Sequence, residues 1–415
     1  MTISNNISKS IGSFIISLIP LLSLWGISSV FLLLVAVLIP FVSKNYDASL
    51  KLTKVDWSFV VVFAFPLLAV IFTMLATNTW QWACVDKYLR YPLGGLAFFF
   101  MLKSKKNVVD LAWLRFGFYA AALVGFVYAY YQKEVLGMAL ATGGIFPISF
   151  GEVMAFIAVI SLLKFDDSKS NAFVWRLLFF ALALLASIMA GTKGAWVAYP
   201  ILLWFIFDFH YEKHLGKQIG IFLVSLSLVS IILWSIPFSQ NRIKLAVSDV
   251  TGYFSQEEFH PTSQGLRFMM WHTALEMYKD HPWFGVGAPQ VRTELAEYCK
   301  TSPNASVRKT FPSYQHCLTH VHNDWLEALA GQGLLGFFSF VFFAFYSMVV
   351  CLVNRKKYTG EARMWIYFNI LTNVAFAIFC CTQALHTAPR DLWIAFSAIS
   401  FAQFRIMQRE TMTKI

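Results

Sequence analysis

Apolar runs long enough to cross a bilayer occupy most of this sequence. A transmembrane helix needs roughly 20 predominantly apolar residues, and the runs between polar segments predict about twelve spans. They lie near residues 11–25, 27–43, 56–76, 88–102, 109–131, 145–163, 173–190, 194–209, 218–236, 324–352, 364–385 and 390–407. The chain is therefore predicted to be an all-α polytopic membrane protein.

The composition supports the same fold class. Of the 415 residues, 58% are hydrophobic and only 13% are charged, whereas soluble domains average about 25% charged residues. A soluble multidomain enzyme is therefore a poor interpretation. The net charge of +11 raises the question of nucleic acid, but no nucleic-acid motif is present, and in a membrane protein Lys and Arg mainly set the topology.

The placement of the basic residues predicts the orientation. If the N-terminus is cytoplasmic, most Lys and Arg in the short connections fall on the cytoplasmic side, as the positive-inside rule requires. Both termini are then cytoplasmic. Residues 1–236 would hold nine spans, 237–323 one large external loop with amphipathic helices, and 324–415 three further spans of the same membrane domain.

The external loop is the one connection with enough polar residues to form a site. Its apolar residues Leu266, Met270, Ala274 and Met277 recur at spacings of three and four, which predicts an amphipathic helix. The loop also holds Cys299 and Cys317. These two cysteines would be able to pair in an oxidising compartment, and two free thiols are the open alternative.

Two basic residues are candidates for binding an anion. Lys193 lies in a tight Gly-Thr-Lys-Gly turn between two apolar runs, and an ionisable group at membrane depth usually marks function. Arg267 lies near the start of the amphipathic helix, and its planar guanidinium suits phosphate oxygens. The alternatives are a lysine that reaches the interface and a solvated surface arginine.

The loop ends in His-Val-His-Asn-Asp-Trp-Leu-Glu, from His320 to Glu327. An imidazole is well matched to proton transfer near pH 7, so this stretch is a candidate base site. Two other interpretations compete: interfacial structure, and a metal site formed by His320, His322 and Asp324, for which no further ligand pattern follows. Downstream, Gly333 and Gly336 are predicted to let neighbouring helices approach closely.

Several short motifs together resemble the O-antigen ligase and polymerase superfamily of bacterial envelope glycosyltransferases. The ligase pattern H-[NSQ]-x9-G-x-x-G matches His322-Asn323 and Gly333 to Gly336. The family's R-x-x-x-W helix and H-P-x-x-G-x-G turn match Arg267…Trp271 and 281–287. Further matches are 146–152, where Glu152 stands in place of the commoner Asp, and Asp86…Arg90. The family usually has Arg where this chain has Lys193, which keeps the charge but loses bidentate geometry.

The resemblance implies a GT-C-like fold in the bacterial inner membrane, with a periplasmic active site. It implies transfer of a glycan from undecaprenyl diphosphate to the lipid A-core acceptor, with inversion and without metal, nucleotide or other cofactor. His322 would be the general base, with His320 as the fallback. The diphosphate would be bound by Lys193 and Arg267, and more weakly by Arg90 and Arg390. Asn323 or Asp324 would orient the imidazole.

Other activities stay open at this point. An O-antigen polymerase and a protein O-oligosaccharyltransferase share the motifs, and a single large external loop favours the ligase. A secondary transporter is the alternative from another class. Transporters often contain repeated halves with interrupted helices, and no such halves are visible in the sequence.

Overall fold

The computed structural model of the protein describes residues 2–42, 46–47, 49–104, 109–165, 172–211, 215–255, 263–301, 308, 320–382 and 388–412. Over these residues the chain is helical and forms no strand beyond one isolated bridge between Tyr46 and Ser104. The helices are α1 Thr2–Ser23, α2 Ser29–Val42, α3 Lys54–Ala76, α4 Trp82–Lys103, α5 Leu111–Tyr130, α6 Pro147–Ser161, α7 Ala172–Met189, α8 Lys193–Tyr211, α9 Leu215–Ser235, α10 Pro237–Ser255, α11 Ser263–Asp280, α12 Val291–Thr301, α13 Asp324–Asn354, α14 Gly360–Phe379 and α15 Ala388–Met412.

Each predicted apolar run coincides with a helix. Five helices in the described part of the chain are long and apolar enough to cross a membrane: α3, α5 with its π-helical continuation to Val135, α7, α13 and α14. The all-helical fold with several membrane-spanning helices is confirmed. The number of about twelve spans and an external location for 237–323 remain predictions, since helices such as α2 and α6 are shorter than a full span.

The centre of the bundle is formed by α6, α14 and α15. Every residue of α6 from Ser149 to Ser161 is buried, although this helix has only 15 residues. Aromatic rings fill the space between the three helices; the centroids of Phe156 and Trp393 lie 4.7 Å apart, and those of Phe368 and Phe396 lie 5.4 Å apart. Such aromatic pairs add to the stability gained by burial, so α6 is held by protein on all sides.

Helix α13 is broken at Gly333, whose φ is +61°. The turn that follows α11 occupies the break: Leu334 N–H donates to Pro282 O at 2.8 Å, and Val286 N–H donates to Ala330 O at 2.9 Å. A Cβ at position 333 would lie 2.4 Å from the Trp283 carbonyl carbon. Backbone groups freed by the break therefore find partners in the turn, as they must at membrane depth.

The prediction for the two glycines of this segment needs correction. Gly333 does permit a close approach, but the approaching segment is the turn after α11 and not a neighbouring helix. At Gly336, the atoms nearest to an added Cβ belong to Gln332 of the same helix. The reason is that the chain leaves helical geometry at Gly333, so its two flanking halves contact different elements.

Helices α11 and α12 form a second, smaller core against the start of α13. The predicted apolar face of α11 is confirmed, because Met270, Ala274 and Met277 are buried in this core together with Val321 and Ala330. Cys299 is buried in the same core. Cys317 lies outside the described residues, so the pairing of these cysteines stays a prediction. This packing fixes α11, and with it Arg267, beside the first turn of α13.

Candidate functional site

The candidate site is built around the residues that precede α13. His322 has a φ of +55°, a left-handed conformation that is uncommon for residues other than glycine. The next residue, Asn323, caps α13: its side-chain oxygen accepts from Leu326 N–H at 3.1 Å. Asp324 N–H donates to Cys380 O at 2.8 Å. Capping and the contact with the end of α14 thus hold His322 in place.

The two histidines lie side by side. The ring centroids of His320 and His322 are 3.9 Å apart, and Val321 between them is fully buried. The backbone N–H of Val321 donates to the carboxylate of Glu327 at 3.1 Å. The pair predicted from the sequence is therefore a single local unit, anchored to the first turns of α13.

Arg267 reaches this unit from α11. Its side chain is half-buried, and no hydrogen bond or ion pair joins its guanidinium to another residue that the structure describes. Burial lowers the pKa of Arg267, and the nearby Glu152 opposes that shift. An arginine guanidinium is not deprotonated in proteins, so Arg267 stays protonated in spite of this lowered pKa. The site therefore contains a fixed positive charge whose donors remain available to an anion.

The electrostatics keep His322 neutral. The pKa of His322 is lowered from 6.5 to about 3, mostly by burial and additionally by His320 and Arg267, while Glu327 acts in the opposite direction. Its Nδ1 is buried and has no hydrogen-bond partner among the described residues. A neutral imidazole with an unpartnered nitrogen is able to accept a proton, although the positive charges around it make it a weak base.

Glu152 is the residue that sequence reasoning missed as a site member. It is fully buried in α6 and interacts electrostatically with Arg267 and Asp324. The hydroxyl of Thr382 donates to Glu152 Oε1 at 2.9 Å, while Oε2 is buried without a partner in the described part of the chain. The available signal was an acidic residue inside an apolar run, which usually marks function.

Lys193 begins α8 in a turn that packs on Thr382, the hydrogen-bond partner of this carboxylate. Gly191, with a φ of +64°, makes the turn, and the hydroxyl of Thr192 donates to Pro147 O at 3.1 Å. Gly194 packs so closely on Thr382 that an added Cβ would lie 2.7 Å from it. The Lys193 turn is thus wedged between the start of α6 and the end of α14, and it adjoins the Glu152–Thr382 pair.

Arg90 on α4 and Arg390 on α15 have protein partners. Arg90 pairs with Asp391 at 3.0 Å. Arg390 is 2% exposed, donates to Lys87 O at 2.8 Å and lies over the Tyr91 ring, 5.4 Å from its centroid. These contacts join α4 to α15. The structure therefore gives both arginines an evident packing role, unlike Arg267.

The metal interpretation gains no support from the geometry. Among the residues that the structure describes, no group of three or more His, Cys, Asp or Glu side chains is arranged to hold a metal ion. Asp324 faces Arg390 in a crevice that Tyr88, Tyr91 and Glu327 also line.

Comparison with known proteins identifies relatives that share this region. A family model described as O-antigen ligase matches residues 178–341, a segment that contains Lys193, Arg267 and His322. The chain is 24% identical over 272 residues to an uncharacterized protein of Haemophilus influenzae, covering 64% of this chain and 66% of that protein. It is 23% identical over 258 residues to the O-antigen ligase of Escherichia coli K12, covering 61% of this chain and 58% of the relative. The resemblance to the O-antigen ligase family is thereby confirmed, and the matches span less than two thirds of the relatives' own lengths.

Proposed function

We propose that the protein is an O-antigen ligase that transfers a glycan from undecaprenyl diphosphate to the lipid A-core oligosaccharide. The ligase-family match over 178–341 supports this class of activity. The proposal places the chain in the bacterial inner membrane with 237–323 in the periplasm. The biased distribution of its basic residues supports that orientation.

One observation carries the proposal: a half-buried arginine with available donors lies beside a neutral histidine. Arg267 acts electrostatically on His322, and neither the guanidinium nor the imidazole Nδ1 has a hydrogen-bond partner within the described residues. Fixed cations in a site shielded from water stabilise the charge that develops on a leaving diphosphate. A neutral imidazole accepts the proton of an attacking hydroxyl. Glycosyl transfer from a lipid diphosphate needs both of these functions.

The reaction is a direct displacement. The acceptor hydroxyl oxygen attacks the anomeric carbon, the bond from that carbon to the diphosphate oxygen breaks, and the configuration inverts. The hydroxyl proton passes to His322, with His320 as the fallback acceptor. The bonding electrons leave with the diphosphate, whose negative charge is held by Arg267 and Lys193. Lys193 supplies a point charge without the bidentate geometry of arginine.

Donor binding would also strengthen the base. In the unliganded protein, Arg267 is one of the groups that lower the pKa of His322. A bound diphosphate places negative charge beside the same imidazole, which favours its protonated form and raises its pKa. His322 then becomes an effective base only when the donor is present, which limits unproductive proton uptake.

The test is glycan transfer by the purified protein in liposomes, with a polyprenyl-diphosphate glycan and lipid A-core as substrates. We expect His322→Ala to lower the rate of transfer about 10²- to 10⁴-fold and Arg267→Gln to weaken donor binding. The matched controls are His272→Ala and Arg292→Gln, which change residues of the same kind on α11 and α12. Normal transfer by His322→Ala would remove the base assignment, and unchanged donor affinity in Arg267→Gln combined with Lys193→Ala would remove the diphosphate site.

The alternatives differ in their products. In lipopolysaccharide from a strain lacking this protein, loss of all long chains indicates a ligase, whereas core bearing a single repeat indicates a polymerase. Glycan attached to protein Ser or Thr would indicate a protein O-oligosaccharyltransferase. Solute uptake by proteoliposomes without glycan transfer would favour a secondary transporter.

A further inference from the structure

Glu327 contacts the segment that carries the two histidines. It is the fourth residue of α13, and its carboxylate accepts from Val321 N–H at 3.1 Å. On the other side of His322, the Asn323 side chain accepts from Leu326 N–H. The residues before and after His322 are therefore both hydrogen-bonded to the first turns of one helix.

These contacts matter because the backbone at His322 is strained. A φ of +55° is unfavourable for a residue with a side chain, and such conformations persist only when the surroundings hold them. The hydrogen bond from Val321 to Glu327 fixes the peptide that leads into this strained position. The direction of the imidazole thus depends on the Glu327 carboxylate.

The charge of Glu327 also acts on His322. The groups that face this imidazole are His320 from its own segment, Arg267 from α11 and Glu327 from α13. Of these three described groups, the first two oppose protonation of the ring, and Glu327 favours it. Glu327 also lines a crevice together with Tyr88 and the buried Arg390.

We infer that Glu327 is a positioning residue for glycosyl transfer, which holds the His322 imidazole toward the acceptor hydroxyl and stabilises the imidazolium that forms. The inference rests on the proposed function. In the reaction the proton moves from the acceptor hydroxyl to His322 and goes no further. Glu327 touches neither substrate; it acts through the Val321 peptide and through its charge.

The kinetic test compares two substitutions of Glu327 in the full-length protein. Glu327→Ala removes the acceptor and the charge, and we expect kcat to fall about 10- to 100-fold, part of the roughly 10²- to 10⁴-fold typical of a general base, with little change in the donor KM. Glu327→Gln keeps an oxygen for Val321 N–H but loses the charge. It should recover part of kcat and move the acid limb of the pH profile to lower pH, because the imidazole loses a negative charge that favours its protonation.

A second measurement does not depend on activity. Hydrogen exchange followed by mass spectrometry, on a peptide that begins at residue 318 or earlier and ends at residue 326, reports the Val321 amide. We expect its exchange to quicken about tenfold or more in Glu327→Ala and to stay unchanged in Glu327→Gln, since local opening sets exchange. Glu297→Gln, an exposed glutamate of α12, is the matched control and should change neither readout.

The outcomes separate the two proposals. If His322→Ala abolishes transfer while Glu327→Ala keeps the wild-type kcat and pH profile, the positioning role is overturned and the proposed function stands. If His322→Ala transfers normally, the base assignment fails, and the exchange of Val321 still decides whether Glu327 holds this segment. Unchanged exchange in a folded Glu327→Ala variant overturns the inference directly. Should that variant not fold, the pH profile of Glu327→Gln decides.

Discussion

Two clusters of buried charge lie near opposite ends of α15 and differ in how completely their polar atoms are paired. Close to its C-terminal end, Arg405 Nε donates to one oxygen of Asp56 at 2.7 Å, and Arg409 donates to the other at 2.6 Å. The same carboxylate accepts from the N–H and the hydroxyl of Thr53 at 2.8 and 2.7 Å. This paired cluster fastens α15 to the first turn of α3.

The second cluster is the candidate functional site around His322, here called the histidine site. It lies toward the N-terminal end of α15, near Arg390. Here Glu152 Oε2 and His322 Nδ1 are buried without hydrogen-bond partners in the described part of the chain. Arg267 has no ion pair or hydrogen bond within the same residues. Both clusters contain acidic and basic side chains removed from water, yet only the paired cluster satisfies its donors and acceptors internally.

The difference separates stability from function. A buried charge is costly unless it is paired and hydrogen-bonded. Removing any one member of the paired cluster should therefore lower the stability of the fold strongly. Unpaired groups in the histidine site weaken the fold, and a ligand that supplies the missing partners gains their hydrogen bonds. We therefore expect substitutions in the two clusters to affect different measurements.

The largest expected effect is on activity at the histidine site. His322→Ala should lower kcat by about 10²- to 10⁴-fold, the usual range for a general base. Its thermal stability should stay at or above that of the wild type, because a buried nitrogen without a partner is removed. Transfer assays and thermal unfolding in detergent measure the two effects. If His322→Ala lost activity only because less of the protein was folded, its effect would be on stability, and the proposed difference between the two clusters would be wrong.

The next effect is on stability at the paired cluster. Arg405→Ala leaves Asp56 buried with fewer partners, and breaking such a pair costs about 3–5 kcal/mol of unfolding free energy. The protein that remains folded should transfer glycan at the wild-type rate. Thermal unfolding and kcat per folded molecule check this. Combining Arg405→Met with Asp56→Asn should recover most of the stability, and no recovery would show that the Arg405 side chain acts through packing and not through its charge.

Much of this arrangement could be predicted from the sequence, for identifiable reasons. The helices follow from apolar runs and their periodicity, and His322 and Arg267 were identified by short motifs. The break at Gly333 could not be predicted, because it depends on the turn that follows α11. Glu152 lies far from His322 in the sequence, and only the packing of α6 against α14 brings it to the site.

The partners of Arg90 and Arg390 could not be predicted from the sequence either. Arg90 and Asp391 form an ion pair across 301 positions of sequence, which no local pattern reveals. A basic residue in a polytopic protein can bind a ligand or fasten two helices, and the residue type is the same in both cases. The presence or absence of a buried acidic partner decides between them, and that depends on tertiary structure.

The pH dependence of stability sharpens the comparison further. The pKa of His322 is about 3 in the folded protein against 6.5 ordinarily, so the unfolded chain binds its proton first as the pH falls. The part of the unfolding free energy that depends on the titration of His322 is therefore fully present above about pH 6.5, and it is lost progressively as the pH falls toward 3. Between pH 7 and pH 5 the wild type should lose about 2 kcal/mol more than His322→Asn. Parallel unfolding curves at the two pH values measure this difference, and identical losses in the two proteins would contradict it.

The smallest expected effect concerns the cap that holds the histidine site. Asn323→Ala removes the side-chain oxygen that accepts from Leu326 N–H, and loss of such a cap costs about 0.5–2 kcal/mol. Asn323→Ser should restore most of this stability, because serine also caps helices well. The change in kcat should exceed what the small loss of stability explains, because the same cap also fixes the strained backbone of His322. Thermal unfolding and kcat measured on both variants test this, and an Ala variant with lower stability but the wild-type kcat would show that the His322 backbone is held in place without the cap.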